Sequence, residues 1–415
     1  MLIRNWPAVF LFVLLFQIIS CRDATISDAQ PKTKNEPPKG SFGYDFRFLK
    51  DNGYSLVELH DSTAKSRVLI SPALQARVMT STADGDSGTS FGWINYAWVS
   101  GKKFKAHFNP AGGEERFWMG PEGGQFSIYF KKGDSFNLAH WQVPPIIDTL
   151  PFDLVSSSST KAEFVTKGHL NNYSGSSFDV SIRRSVELLN RQGLEKSIGT
   201  VIPGGLSLVG YESQNQIKNV GTNDWKRESG LLSIWLLGMM TPSPETVVFI
   251  PFKAGTHSRE YITDNYFGKI PGERLKVKDS ILFFTCDGKW RSKIGLSPVI
   301  AGKMAASFDF HNNTLSVLIF SVDPQGLYVN SKWEIQQFPY RGDVVNSYND
   351  GPLADGGQLG PFYEIESSSA VKELKPGETE SYKQVTCHIR GDYASLQKLV
   401  RRLFGFDLDE IKKTH

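Results

Sequence analysis

From about residue 41 onward, apolar residues recur mostly with a period of two. Residues 177–186 set Phe178, Val180 and Ile182 against Asp179, Ser181 and Arg183, the pattern of a strand with one face in a core. Residues 125–130 place Phe126, Ile128 and Phe130 on one side and predict another strand. Similar runs fall at 67–70, 246–252, 280–285, 315–322 and 382–389, punctuated by turn signals at Asn52-Gly53, Asp287-Gly288 and Pro376-Gly377. Only residues 392–413 carry a helical stripe: Leu396, Leu399, Val400, Leu403, Phe404 and Leu408 predict a helix laid on a sheet edge or outer face. No linker-like stretch or internal repeat interrupts residues 41–391. The expectation is a single all-β sandwich domain over 41–415, closed by that helix.

The first 21 residues read differently. Arg4 precedes an apolar run over 9–19 that is too short to span a membrane comfortably. Ile18-Ile19-Ser20-Cys21 resembles the lipobox of bacterial lipoproteins, in which the cysteine thiolate is alkylated by diacylglycerol and cleavage falls just before it. Residues 22–40 hold one large apolar residue, Ile26, and read as a solvated tether. The expected organisation is a signal peptide over 1–20, a lipidated Cys21 and tether over 21–40, then the domain. An ordinary secretory signal with an incidental cysteine is the alternative. Either way the chain is exported, and the lipobox reading anchors it to a bacterial membrane through lipid.

Among 415 residues, 46 Lys+Arg balance 43 Asp+Glu for a net +3, which provides no clustered basic footprint for nucleic acid. Aromatics at 12%, with 38 Gly and 21 Pro, suit a turn-rich β protein with a stacking surface. Beyond Cys21 there are only Cys286 and Cys387, both in apolar alternating segments and expected as buried thiols.

Candidate chemistry clusters in a few places. Residues 109–125 (NPAGGEERFWMGPEGGQ) hold Glu114, Glu115, Arg116, Trp118 and Glu122 among glycines. No Lys-Ser/Thr follows, so this is not a phosphate-cradling loop. Carboxylates and a guanidinium can grip vicinal hydroxyls while an indole stacks on a pyranose, so the set suits a sugar; an internal salt-bridge loop is the alternative. In a strand, Glu364 and Glu366 share a face with Cα atoms roughly 7 Å apart, close enough to push one pKa upward for acid–base work. Arg291 and Lys293 share a face that can meet those acids or an anionic sugar such as a uronate. Asn349 and Asp350, before Gly351-Pro352, form either a ligand loop or an ordinary turn. His140, fixed by Trp141 and two prolines, is a candidate acid. No zinc spacing, calcium loop, nucleophile elbow or Walker motif occurs, so no metal or cofactor is expected.

Taken together, residues 113–130, 233–239, 290–298, 346–352 and 359–378 resemble an uncharacterised family of bacterial lipoproteins in the galactose mutarotase-like group. The resemblance implies a supersandwich of large antiparallel sheets with a carbohydrate cleft on a concave face. The group includes aldose 1-epimerases, and related domains occur in glycosidases and polysaccharide lyases. Ile365-Glu366-Ser367-Ser368 followed by Leu374-Lys375-Pro376-Gly377-Glu378 is similar to the epimerase strand and loop, and implies Glu366 as general base with Glu364 tuning it. The epimerase acid is a histidine; the corresponding segment here offers Trp235 and no histidine. That departure points to Trp235 as a stacking platform and to His140 as a substitute acid. The reading is an anchored lipoprotein that binds, and can process, carbohydrate. Its expected contacts are Arg116, Trp118, Glu122, Trp235, Arg291, Lys293, Asn349 and Asp350, with Glu366, Glu364 and His140 as the catalytic set. Two other readings stay open: an epimerase, lyase or hydrolase using Glu364/Glu366 or Glu115/Glu122, and a non-enzymatic lipoprotein whose cleft is filled by its own side chains.

Overall fold

The computed structural model describes residues 37–353 and 356–414; the expected signal segment, Cys21 and most of the tether lie outside the described residues. Two large sheets form the body. Ten strands make one, in the order Leu275–Lys278, Ile281–Thr285, Thr246–Pro251, Met304–Asp309, Thr314–Phe320, Thr379–Arg390, Ser207–Asn219, Ser177–Leu188, Lys161–Asn171 and Asp153–Ser157. Six make the other: Ile262–Thr263, Ser292–Leu296, Val345–Asn349, Tyr363–Ser368, Ser233–Met240 and Arg116–Gly120. A three-stranded sheet (Val57–His60, Arg67–Ser71, Arg77–Thr82) carries the N-terminal helix Phe42–Asp51. Neighbouring strands run antiparallel, so the fold is a sandwich of antiparallel sheets.

Alternation decides which residues enter the core. Along Ser177–Leu188 every second residue is buried, Phe178, Val180 and Ile182 among them. These meet Phe117, Ile234, Leu236, Ile294 and Ile365, all on one face of the six-stranded sheet. Fully burying each such side chain contributes about 1.5–3 kcal/mol. Polar groups at the same interface are paired: Tyr363 and Ser307 hydroxyls lie 2.8 Å apart, and Ser367 Oγ donates to Gln384 Oε1 at 2.7 Å.

The outer face of the ten-stranded sheet is covered by the C-terminal segment, where Leu396, Leu399 and Val400 pack on Val317, Val385, Cys387 and Ile389. Two helices occupy the span expected as one, Tyr393–Phe404 and Leu408–Thr414. Asp392 caps the first through the Ser395 amide at 2.9 Å, and Gly405 ends it in the left-handed region at φ 78°, where a side chain would be strained. Cys286 and Cys387 are both free and buried.

One expected strand is absent. Residues 125–130 form loop and turn, with the Ser127 amide on Gly124 O and the Ile128 amide on Pro121 O. The alternation misled because Ser127 and Tyr129, on the supposedly solvent side, are buried as well. Among the described residues, no helix is long and apolar enough to cross a membrane.

Candidate functional site

The second face of the six-stranded sheet, away from the ten-stranded one, gathers the polar chemistry. Directly opposed residues of neighbouring strands share a face. Register pairs Arg116 with Leu237, Trp118 with Trp235, Leu237 with Glu366, Glu366 with Asn346, Glu364 with Tyr348, and Tyr348 with Lys293. Arg116, Trp118, Trp235, Glu364, Glu366 and Lys293 therefore point the same way from four strands. The Gly112-Gly113 step makes this possible upstream of Arg116. Gly113 sits at φ +120°, and a Cβ there would lie 2.4 Å from Arg77 Cδ, so only glycine admits the turn.

The charges are matched in pairs. Arg116 Nη2 is ion-paired with Glu364 Oε1, and Lys293 Nζ with Glu366 Oε2 at 2.9 Å. Trp235 Nε1 also donates to Glu366 Oε2, at 2.9 Å. The indole expected as a stacking platform thus serves as a hydrogen-bond donor to the carboxylate. Glu366 Oε1, Arg116 Nε and Trp118 Nε1 are buried without a hydrogen-bond partner. Such orphaned groups carry a desolvation cost of about 1–3 kcal/mol each.

A roof of aromatic side chains closes over the acids. Trp141 stacks on Tyr129 and on Trp333 at ring distances of 5.9 and 6.0 Å, and Trp118 meets Trp235 edge-on at 5.6 Å. Glu122 comes in from this roof, its amide bonded to Ser331 Oγ at 3.2 Å. The Gln125 side-chain amide locks the two roof loops together, donating to Gln336 O at 2.9 Å and accepting from the Gln336 amide at 3.0 Å. Exposure is correspondingly small: 0% for Glu366, 6% for Glu364 and 3% for Arg116.

Burial dominates the electrostatics. It pushes the Glu122 carboxyl up to about 7, against the pull of Lys293 and with the nearby Glu366 charge reinforcing the rise. Burial likewise raises Glu364, in spite of the Arg116 guanidinium and aided by Glu366. For Lys293, burial favours the neutral amine, yet the charges of Glu366 and Glu122 outweigh it and raise the pKa. Two carboxyls with raised pKa values, Glu122 and Glu364, therefore sit beside Glu366, which is bonded by a cation and an indole.

The sheet face brings together Arg116, Trp118, Glu122, Trp235, Lys293, Glu364 and Glu366. Of the remaining candidates only Arg291, two residues from Lys293, shares this face, at its edge. His140 is exposed, with Nδ1 3.1 Å from Ser135 Oγ, while its neighbour Trp141 enters the roof. Asn349 points to the opposite face, since it alternates with Tyr348. There it braces a turn, accepting from the Gly288 amide at 2.8 Å and donating to Trp290 O at 3.0 Å. Asp350 accepts from Tyr348 Oη at 2.7 Å and from the Gly360 amide at 3.0 Å, which is turn chemistry. Arg291 forms no ion pair among the described residues and stacks instead on Phe267. The Glu115/Glu122 pairing also fails. Glu115 faces the sandwich core, fully buried against Arg184 at 2.7 Å with Gln384 and Thr386 completing its bonds.

The sequence passed over Tyr129, Trp333, Tyr266 and Asp343. Tyr266 donates to Asp343 Oδ2 at 2.6 Å beside Lys293, in space left by Gly295, whose Cβ would lie 2.0 Å from that oxygen. All four come from irregular segments: Tyr129 fell on the supposedly solvent side of the 125–130 alternation, and no period marks Trp333, Tyr266 or Asp343.

Solved structures with a similar arrangement include a candidate aldose 1-epimerase from Escherichia coli K12, at 10% identity and TM-score 0.48 over 81% of this chain and 99% of that one. Another is the Slr1438 protein from Synechocystis sp. PCC 6803, at 12% and 0.48 over 82% and 96%. A third is a galactose mutarotase-like protein from Lactobacillus casei ATCC 334, at 12% and 0.46 over 81% and 100%. No curated protein matches the sequence. Residues 40–415 match the family described as Family of unknown function (DUF6786), and the chain belongs to that family.

Proposed function

We propose that this chain is an exported, lipid-anchored protein that binds a carbohydrate at the Glu122/Glu364/Glu366 face and catalyses proton transfer on the sugar ring. The observation that carries this reading is the asymmetric environment of Glu366. One oxygen is held by Lys293 and Trp235, the other is buried and unpartnered, and Glu122 stands nearby with its pKa about 7. A carboxylate fixed in this way is a positioned general base, and a neighbouring carboxyl poised near neutrality is a suitable acid. Glu366 takes the proton from the anomeric hydroxyl as the C1–O5 bond breaks, and Glu122 gives its proton to O5. Reclosure after rotation about C1–C2 returns both protons and yields the other anomer. Glu122 thereby fills the acid role that the sequence assigned to His140. The tryptophans supply faces for a pyranose and exclude water, which strengthens every charge interaction inside.

Anomer exchange of hexoses measured by NMR tests this reading. The wild-type protein is expected to accelerate exchange, while E366Q abolishes the acceleration and stays folded. Full acceleration in E366Q, or none from the wild type with any common hexose, hexuronate or hexose phosphate, overturns the proposal.

A second reading has its own observation. The acids are covered by the chain's own tryptophans and matched by its own cations, as in a cleft filled from within. Under that reading the cluster is structural, and no sugar binds at millimolar concentration in calorimetry.

A further inference from the structure

Three cations project from the same sheet face, and two are already committed. Arg116 belongs to Glu364 and Lys293 to Glu366. Arg291 is the third, immediately before strand Ser292–Leu296 and two residues from Lys293, so the two share a face. It has no carboxylate partner among the described residues. Its guanidinium lies 3.6 Å from the centre of the Phe267 ring, and its Nε donates to Tyr348 Oη at 3.3 Å. The Tyr348 hydroxyl spends its own proton on Asp350 and is free to accept. The guanidinium plane is therefore fixed by stacking on one side and by one bond at Nε, and among the described residues nothing engages its Nη1/Nη2 edge.

The surroundings differ from the roofed acids. Phe267 is 45% exposed and the adjacent Trp290 50%, so Arg291 stands on an aromatic rim open to water. Lys293 is opposite Tyr348, which is opposite Glu364. Two strand spacings and two residues along the chain put Arg291 and Glu364 Cα atoms roughly 12 Å apart, a span that one or two sugar rings bridge. A stacked, pre-oriented guanidinium loses little freedom on binding and presents its edge to an oxyanion through two parallel hydrogen bonds.

We infer that Arg291 is the anion-recognising subsite of this face, and that the sugar it receives carries an oxyanion, either a uronate carboxylate or a phosphate ester. The inference rests on the carbohydrate reading above and narrows its substrate class. A neutral glycan leaves the forked edge facing hydroxyls that gain only weaker bonds from it.

The test uses the full-length protein in detergent on an array of matched neutral, uronate and phosphorylated oligosaccharides of glucose, galactose and mannose, with calorimetry on the ligands retained. At low salt, at least one acidic glycan is expected to bind tenfold or more tightly than its neutral counterpart. R291Q brings that ratio close to one, and R291K, with the charge but not the fork, restores only part of it. Whether the uronate or the phosphate series shows the gain identifies the source of the oxyanion. Neutral and acidic partners binding alike, or R291Q weakening both by the same factor, overturns the inference while leaving carbohydrate binding intact. No retention of any glycan removes the carbohydrate reading and the inference together.

Discussion

Lys293 and Glu366 form an ion pair at 2.9 Å although a whole strand, Val345–Asn349, runs between their own strands. The lysine stem crosses that strand along the sheet face and delivers its ammonium, 5.0 Å from the Trp235 ring centre, to a carboxylate that is 0% exposed. Attraction between groups this dry is large, and so is the penalty for leaving either one alone.

Lys293→Met therefore strands a buried carboxylate. The expected loss of stability is about 3–5 kcal/mol, the range for breaking one side of a buried pair. Adding Glu366→Gln removes the uncompensated charge, and the double variant should regain much of that loss. Urea denaturation of the two single variants and the double closes the cycle. Additive losses would mean the two groups are not coupled.

The Glu122 carboxyl is held at about 7, above its ordinary 4.5, because burial favours the neutral acid. Its contribution to stability is complete below about 4.5 and is lost as pH rises through 7. At about 1.36 kcal/mol per unit, the effect is at most on the order of 3 kcal/mol. Glu122→Gln cannot ionise, so the stability of the wild type relative to this variant should fall between pH 4.5 and 8. A difference that stays constant across that range would place the carboxyl at its ordinary pKa. The same titration predicts that any catalysis by the wild type declines above pH 7, as the acid loses its proton.

Glu115 is the counter-case, an acid in the same Gly-rich stretch that serves the core alone. It closes a chain from Ser367 through Gln384 to Arg184 and Asn215, joining the two large sheets. Arg184→Met should cost about 3–5 kcal/mol by leaving Glu115 unpaired, while the milder Glu115→Gln lowers the melting temperature. Neither residue reaches the Glu122/Glu364/Glu366 face, so any glycan affinity of folded Glu115→Gln should match the wild type. A selective loss of affinity with unchanged melting would return Glu115 to the site.

These contrasts show what a sequence can and cannot declare. The period of two in 177–186 exposed a strand because one face meets a core and the other water. The spacing of Glu364 and Glu366 placed both on one face for the same reason, and that placement is what the strand shows. The pattern failed where both alternating sides are buried, as at Ser127 and Tyr129, since polarity then no longer reports direction. It also failed between elements. That Arg116 meets Glu364, 248 positions later, depends on the sheet order and not on any local signal. Trp141 and Trp333 close the roof from loops that carry no period at all. His140 drew notice as a histidine, yet the tryptophan beside it is the residue that faces inward.

The last prediction concerns Cys21. If its thiol receives the diacylglyceryl group, membrane association depends on that sulfur and not on the folded domain. Among the described residues, no helix is long and apolar enough to span a bilayer. Each buried methylene contributes about 0.8 kcal/mol, one chain anchors only marginally, and two or more hold firmly. Cys21→Ser keeps the apolar leader but removes the nucleophile. In a bacterial host, the wild type should partition into membranes resistant to alkaline wash and incorporate radiolabelled palmitate. The variant should incorporate no label and leave the membrane once alkali strips peripheral proteins, unless its leader is left uncleaved, which a mass measurement of the N-terminus would reveal. Label retained in Cys21→Ser would move lipidation to another residue, and an unlabelled wild type would reduce the leader to an ordinary secretory signal.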